Sequence, residues 1–325
     1  MGFGDLPPIE KTQAYLDAAF KKARERSREY NLSEKEKNPL SREKTLAILK
    51  IATVKDYLSS RFNTIIDKYP NFDNLTEFYT QLLKLTLDFK QLKKSLGTIA
   101  WSVGKIHELS TDSIRRIKRC MDPSVVGEYL RKYYGRIGSV LRQAEKQMIH
   151  LHMMRQVMRD YPSIKEDEFT VCIAGFPNVG KSTLLSKITP AKPEIKAYAF
   201  TTKKLNQGYA NRAGRKIQFI DTPGTLNRLE KMNPVEKVAY LAMKYVGKYV
   251  VFIFDITEES YSLKDQTKLF EAVKRYGKPI VCYLSKTDLL SDEQIEGFTK
   301  LFEKKKVELM TDKDDLMAYL WEKLG

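Results

Sequence analysis

Gly175-Phe-Pro-Asn-Val-Gly180-Lys181-Ser182 sets two glycines five residues apart, followed at once by an amine and a hydroxyl. Glycines let successive backbone N–H groups curl around a phosphate, and a helix that starts there adds its positive end. The Lys181 amine would reach the β- and γ-phosphates, and the Ser182 hydroxyl would face Mg²⁺. Gly175, Phe176, Pro177, Asn178, Val179, Gly180, Lys181, Ser182 and the adjoining Thr183 are thus the phosphate-binding candidates.

Three further constellations follow in order. Asp221-Thr-Pro-Gly224 ends an apolar run, so the Asp221 carboxylate would sit at a strand tip beside the phosphate loop and reach the same Mg²⁺. Gly224 offers an N–H that can approach the γ-phosphate with no Cβ in the way. Between the two motifs lies Ala199-Phe200-Thr201-Thr202-Lys203. A threonine hydroxyl there would complete the metal shell only while the γ-phosphate is present, and chemistry alone does not choose between Thr201 and Thr202. Ser285-Lys286-Thr287-Asp288 closes another apolar run. The Asp288 carboxylate would accept from guanine N1–H and the 2-amino group, and the Lys286 stem would lie along the base. Adenine has no such pair of donors and would leave the carboxylate unmatched.

These residues need a scaffold of strands and helices. FTVCIA (169–174), KIQFI (216–220), YVVFIFDI (249–256) and PIVCYL (279–284) read as buried strands. Helical stretches fall between and after them, near 181–189, 235–246, 263–276, 292–304 and 312–324, which predicts an α/β domain with a mostly parallel sheet. The first 160 residues read as helices. One stripe runs Leu75, Phe78, Leu82, Leu85, Phe89, Leu92, Leu96, with Asn74 and Glu77 as a capping box and Gly97 as its stop. A second runs from Val126 to Met158, with Pro123 near its first turn. Segments 8–30 and 42–68 are helical too. Short loops between apolar stripes predict an antiparallel helical bundle. The pattern breaks at Tyr161-Pro162-Ser163. The expected organisation is a helical bundle domain over 1–165 and a P-loop GTPase domain over 166–325, an α + α/β chain.

The composition excludes other classes. Three widely spaced cysteines among 325 residues make neither a disulfide scaffold nor a zinc module, and point to a reducing, cytoplasmic setting. No apolar run is long enough to span a bilayer, so no membrane partner is expected. The formal charge is +16. It is uneven: residues 169–250 carry ten excess positive charges, and residues 251–325 three excess negative ones. Basic clusters at Arg115–Arg119 and Arg131–Arg136 add to it. Such an excess suits RNA phosphates.

Phosphate loop, switch threonine, DxxG and KxD in this order resemble a GTPase of the translation-factor-like class. The forms GFPNVGKST, FTTK and DTPG resemble the Obg-type GTPases, and the helical half with its tail Met-Arg-Gln-Val-Met-Arg-Asp-Tyr-Pro is similar to the Nog subgroup, the nucleolar GTP-binding proteins, in a short archaeal-type form. The resemblance implies a cycle between GTP and GDP with Mg²⁺ held by Ser182, Thr202 and Asp221. It implies K⁺ beside the phosphates through Asn178, and catalysis by Lys181, Asn178, Thr202 and Gly224. It places the last base contact at Met310-Thr311, although the usual pair there is Ser-Ala. It implies action on the large ribosomal subunit or its precursor, with rRNA, ribosomal proteins and other assembly factors as partners. Two departures matter. Ser285 stands where the motif usually has Asn, and Thr225 follows DTPG where many GTPases carry a water-orienting Gln, so slow intrinsic hydrolysis is expected. The competing readings are a signalling GTPase whose bundle binds a protein effector, and a P-loop ATPase.

Overall fold

The computed structural model describes residues 3–30, 38–189, 194–197, 204–222, 234–257, 260–303 and 307–324. They pack as two units: Gly4–Leu75 with Leu87–Arg159, and Met1–Phe3, Thr76–Thr86 and Asp160–Gly325.

The first unit is built from α1 (Thr12–Glu29), α2 (Pro39–Lys68), α4 (Phe89–Arg119) and α5 (Pro123–Arg159); α3 (Glu77–Thr86) belongs to the second. Neighbouring helices run antiparallel. Tyr15 on α1 meets Phe62 on α2, while Lys22 lies over Tyr57. Gln91 on α4 meets His150 on α5, while Ser110 meets Tyr133. Ile51, Leu58, Phe62, Ile99, Ile106, Tyr133 and Leu141 are fully or nearly fully buried between them. The core face of α4 alternates apolar residues with Ser95, Ser102, Ser110 and Ser113, small side chains that let neighbouring helices come close. Ser95, Ser102 and Ser110 donate to the carbonyl four residues back, so these buried hydroxyls are satisfied.

The stripe from Leu75 to Leu96 is not one helix. α3 stops at Thr86 and α4 starts at Phe89, because Asp88 takes an extended conformation and its carboxylate accepts from the Gln91 N–H at 3.0 Å. Leu87-Asp88 lets the apolar pattern continue while the chain changes unit. The expected capping box is displaced as well: Asn74 ends a short 3₁₀ turn, and the Thr80 N–H bonds to the Thr76 carbonyl instead. Nor does Gly97 end a helix; it lies well inside α4, whose packing outweighs the roughly 1 kcal/mol that glycine costs there.

In the second unit a seven-stranded sheet has the order β2-β3-β4-β1-β5-β6-β7. The strands are β1 (Phe169–Ala174), β2 (Glu194–Ala197), β3 (Lys204–Arg212), β4 (Arg215–Asp221), β5 (Tyr249–Phe254), β6 (Ile280–Leu284) and β7 (Leu309–Met310). β4, β1, β5, β6 and β7 are parallel; β3 pairs antiparallel with both β2 and β4. Helices α6 (Lys181–Ile188), α7 (Pro234–Leu241), α8 (Leu263–Lys274), α9 (Asp292–Glu303) and α10 (Lys313–Leu324) complete it. The four strands expected from apolar runs are present. β2, β3 and β7 were not expected: β3 reads KLNQGYANR and has no apolar run to announce it.

The segment 161–165 is fastened to this unit. The Tyr79 hydroxyl accepts from the Ile164 N–H at 3.1 Å and lies 2.8 Å from the Pro162 carbonyl. The buried Gln218 amide accepts from the Lys165 N–H and donates to Thr170 Oγ1.

Candidate nucleotide site

The phosphate loop joins the tip of β1 to the start of α6. Gly175 lies at φ +149°, and a Cβ there would stand 2.7 Å from the Ile253 carbonyl of β5. Only glycine lets the loop leave the sheet so close to its neighbour. Gly180 at φ +91° caps α6, and Asn178 holds a left-handed φ of +63° that is uncommon outside glycine. The three positive φ values curl the loop between β1 and α6.

Lys181 and Asp221 face one another in this curl and both are buried. Burial lowers the Lys181 pKa, opposed by the Asp221 charge; burial raises the Asp221 pKa, opposed by a hydrogen bond from Ser182, the Lys181 charge and Asn206. Both shifts disfavour the charged forms, so a bound phosphate would favour the Lys181 ammonium and a bound cation the Asp221 carboxylate. The Lys181 ammonium donates to the Phe176 carbonyl at 2.6 Å. The Ser182 hydroxyl donates to Asp221 Oδ2 at 2.6 Å, and Asn206 Nδ2 donates to the same oxygen at 3.0 Å. Among the described residues, Asp221 Oδ1 is buried and has no hydrogen-bond partner. A carboxylate with one orphaned oxygen, next to a serine hydroxyl, is the hard-oxygen donor set that Mg²⁺ takes.

Across the cavity, β6 ends in Ser285-Lys286. Ser285 is buried, with its hydroxyl 2.7 Å from the Val179 carbonyl and 3.0 Å from the Phe254 carbonyl, and its single proton serves the nearer. The short side chain ties the turn Ser285–Asp288 to the phosphate loop through a loop carbonyl. Lys286 turns the chain at φ +54°, and its ammonium lies 2.6 Å from Asp255 Oδ2. Asp255 is 1% exposed, and its other oxygen accepts from the Thr257 N–H and hydroxyl. Burial would raise its pKa, but the bonds from Lys286 and Thr257 outweigh burial and hold it below the usual carboxylate range. Gln266, fully buried, accepts from the Asp255 N–H and donates to the Asp255 carbonyl.

Asn178, Gly180, Lys181, Ser182, Thr183, Ser285, Lys286 and Asp288 line one cavity of about 510 Å³, a size suited to a nucleotide. Gly175, Phe176, Pro177 and Val179 shape the loop behind it, with Phe176 stacked on Tyr261 at 4.5 Å. Met310 pairs with Tyr283 in the sheet and Thr311 follows it; only Tyr283 reaches the cavity lining. Phe200, Thr201, Thr202, Gly224 and Thr225 lie outside the described residues. Sequence reasoning missed Asn206, Tyr283, Asp255 and Gln266. Asn206 sits on the unannounced β3. Asp255 carried a signal, an acid at the end of the strongly apolar YVVFIF.

Residues 3–165 match the family described as NOG1 N-terminal helical domain. The chain belongs to the NOG1 family. Residues 170–286 of this NOG1-family chain match the family described as 50S ribosome-binding GTPase, and with the site above the second unit is a GTP-binding GTPase domain. Among relatives, the Methanocaldococcus jannaschii protein described as uncharacterized protein MJ1408 is 35% identical over 250 residues, 76% of this chain and 70% of that one. Nucleolar GTP-binding protein 1 of Drosophila melanogaster is 30% identical over 83% of this chain and 43% of its own length. That of Saccharomyces cerevisiae is 29% identical over 81% and 42%. The chain thus spans about two fifths of the length of these eukaryotic relatives. Among solved structures, an Era variant from Aquifex aeolicus bound to GDP.AlF4- is 23% identical over 47% of this chain and 56% of that one, with a TM-score of 0.38.

The NOG1-family motif with serine in place of asparagine yields a specific expectation. Ser285→Ala removes the bond to the phosphate loop and leaves the Val179 carbonyl without that donor, costing about 1–2 kcal/mol of stability. Nucleotide affinity should fall several-fold with it. Thermal melting with and without GDP checks this; equal melting and equal GDP affinity in both proteins would remove Ser285 from its linking role.

Proposed function

We propose that this NOG1-family GTPase is a nucleotide-driven switch in assembly of the large ribosomal subunit, in contact with rRNA in the cytoplasm, with other assembly factors or ribosomal proteins at hand. The observation that carries the reading is the position of the charge. The ten excess positive charges of residues 169–250 share their stretch with the phosphate loop and the Thr201-Thr202 and DTPG segments, and one triphosphate does not need them all. Along the sequence we divide the chain into a bundle domain over 1–165 and a GTPase domain over 166–325, with α3 (Glu77–Thr86) and the stretch 160–165 packed in the unit that holds the sheet.

Sedimentation of the full chain with ribosomal subunits, with a GTP analogue against GDP and at rising salt, tests this. The expected result is nucleotide-dependent, salt-sensitive comigration with large subunits. Absence from those fractions in either nucleotide state would favour a protein effector for the bundle instead.

At the nucleotide, Lys181 neutralises the β- and γ-phosphates, and loop N–H groups orient them. Ser182, Asp221 and Thr202 would hold Mg²⁺, which when bound would supply positive charge beside the phosphates. Met310, paired with Tyr283 of the cavity lining, and Thr311 after it would add the last base contacts. Threonine at 225 brings no side-chain amide to orient the attacking water, so slow intrinsic turnover is expected. Asn178, in a left-handed turn of the phosphate loop, would be the side chain that holds K⁺ beside the phosphates. Single-turnover hydrolysis should be slow in Na⁺ and faster in K⁺; fast turnover in Na⁺ alone would defeat this part.

A further inference from the structure

The helix after DTPG carries an unusual turn. α7 continues into a π-helical turn, Ala242–Val246, closed by the Gly247 N–H donating to the Ala242 carbonyl at 2.8 Å. Such turns are rare and collect at functional sites. The turn is locked in place: a Cβ on Gly247 would stand 2.9 Å from both Cys172 Sγ and the Met243 carbonyl, so only glycine lets the chain end the turn against β1.

The turn has a consequence for side chains. In a continuous α-helix, Tyr245 would point about 140° away from Tyr240. Here the wider turn brings both rings to one ammonium: Lys244 Nζ lies 5.9 Å from the Tyr240 ring centre and 5.0 Å from that of Tyr245. Tyr276, after α8, packs edge-on against Tyr240 at 5.3 Å. All three rings are partly exposed and Lys244 is exposed. Residues 234–248 and 271–278 together carry six basic side chains against two acidic ones.

Resting on the reading that this protein contacts RNA, we propose that Tyr240, Lys244, Tyr245 and Tyr276 form the GTPase domain's binding surface for single-stranded RNA. Partly exposed aromatic rings give bases a stacking face, and cations set between and around them take the phosphates. An acidic peptide would use the cations and leave the rings idle. Most of the surface lies on the first described helix that follows DTPG in the sequence.

The test is binding of the full chain to a fluorescein-labelled 20-nucleotide oligouridylate, by anisotropy over a range of KCl. Tyr245→Leu keeps apolar bulk and loses the stacking face; affinity should drop about 5- to 10-fold, the effect of one stacked base. Lys244→Ala, at an exposed position, should make the plot of log affinity against log salt shallower by about one. GDP affinity and melting temperature of Lys244→Ala should equal those of the wild type. Variants that bind RNA as the parent does overturn the surface, and so does displacement of the RNA by polyglutamate at equal charge concentration. Wild-type protein that comigrates with large subunits yet ignores the oligonucleotide overturns this inference alone. Failure in both assays overturns the RNA reading as well.

Discussion

Asp288→Asn is expected to weaken GDP and GTP binding on the order of 10³-fold and to raise affinity for xanthine nucleotides. Asp288 lines the nucleotide cavity beside Lys286 and Ser285. Its carboxylate is acceptor-only, whereas guanine presents two donors on that edge. The asparagine amide turns one acceptor into a donor and meets a donor, and a mismatch of this kind discriminates far more strongly than a missing methylene does. Xanthine carries a carbonyl where guanine has its amino group, so the amide matches it. Titration of the variant with fluorescent GDP and XDP measures both halves. Unchanged GDP affinity would show that Asp288 does not read the base, and would return ATP to consideration. Excess ATP should fail to displace GTP from the wild type.

Lys286→Met is the second large effect, and it combines stability with binding. Methionine keeps the apolar stem that lies along the base but removes the partner of Asp255. That carboxylate is 1% exposed, with Thr257 as its other donor. An uncompensated buried charge costs about 3–5 kcal/mol. Because Lys286 retains 32% side-chain exposure, part of the pair's attraction is screened, and the lower end is expected. The effect depends on pH in a definite direction. In the wild type the folded-state pKa of Asp255 lies below its ordinary 3.8, so its stabilising contribution is complete above about pH 5 and lost as pH falls through the folded value. Without Lys286 the largest lowering contact is gone and burial pushes the pKa up. The stability difference between the two proteins should therefore be greatest near neutrality and already be smaller at pH 4, as falling pH protonates Asp255 in the variant first. Urea unfolding at pH 7 and pH 4 checks this. A deficit constant with pH would mean that the lysine acts by packing and not by charge.

Much of the site was legible from residue order. The glycines of the phosphate loop, Lys181, Ser182, Asp221 and the turn Ser285–Asp288 all follow apolar runs that could only be strands, so the motifs fell at strand tips, where the parallel sheet brings them together. What the sequence hid has physical causes. Asn206 belongs to an amphiphilic strand recruited by pairing with β4, so its presence beside Asp221 is a matter of register. Asp255 and Gln266 are eleven residues apart in sequence and meet only because α8 folds back on β5. The loss of one apolar helix to two came from a single aspartate cap, a local signal outweighed in the reading by a persistent seven-residue rhythm.

The sequence alone determined the helical first half, the parallel strands and the guanine-nucleotide chemistry, because each rests on local patterning or on residues within one loop. Tertiary structure decided three things. It assigned Thr76–Thr86 to the unit with the sheet, through contacts made by Tyr79 with Pro162 and Ile164 more than eighty residues away. It paired Lys286 with a buried carboxylate, and it left one oxygen of Asp221 without a hydrogen bond among the described residues. Pairing and burial depend on which distant segments share space, and no spacing along the chain encodes that.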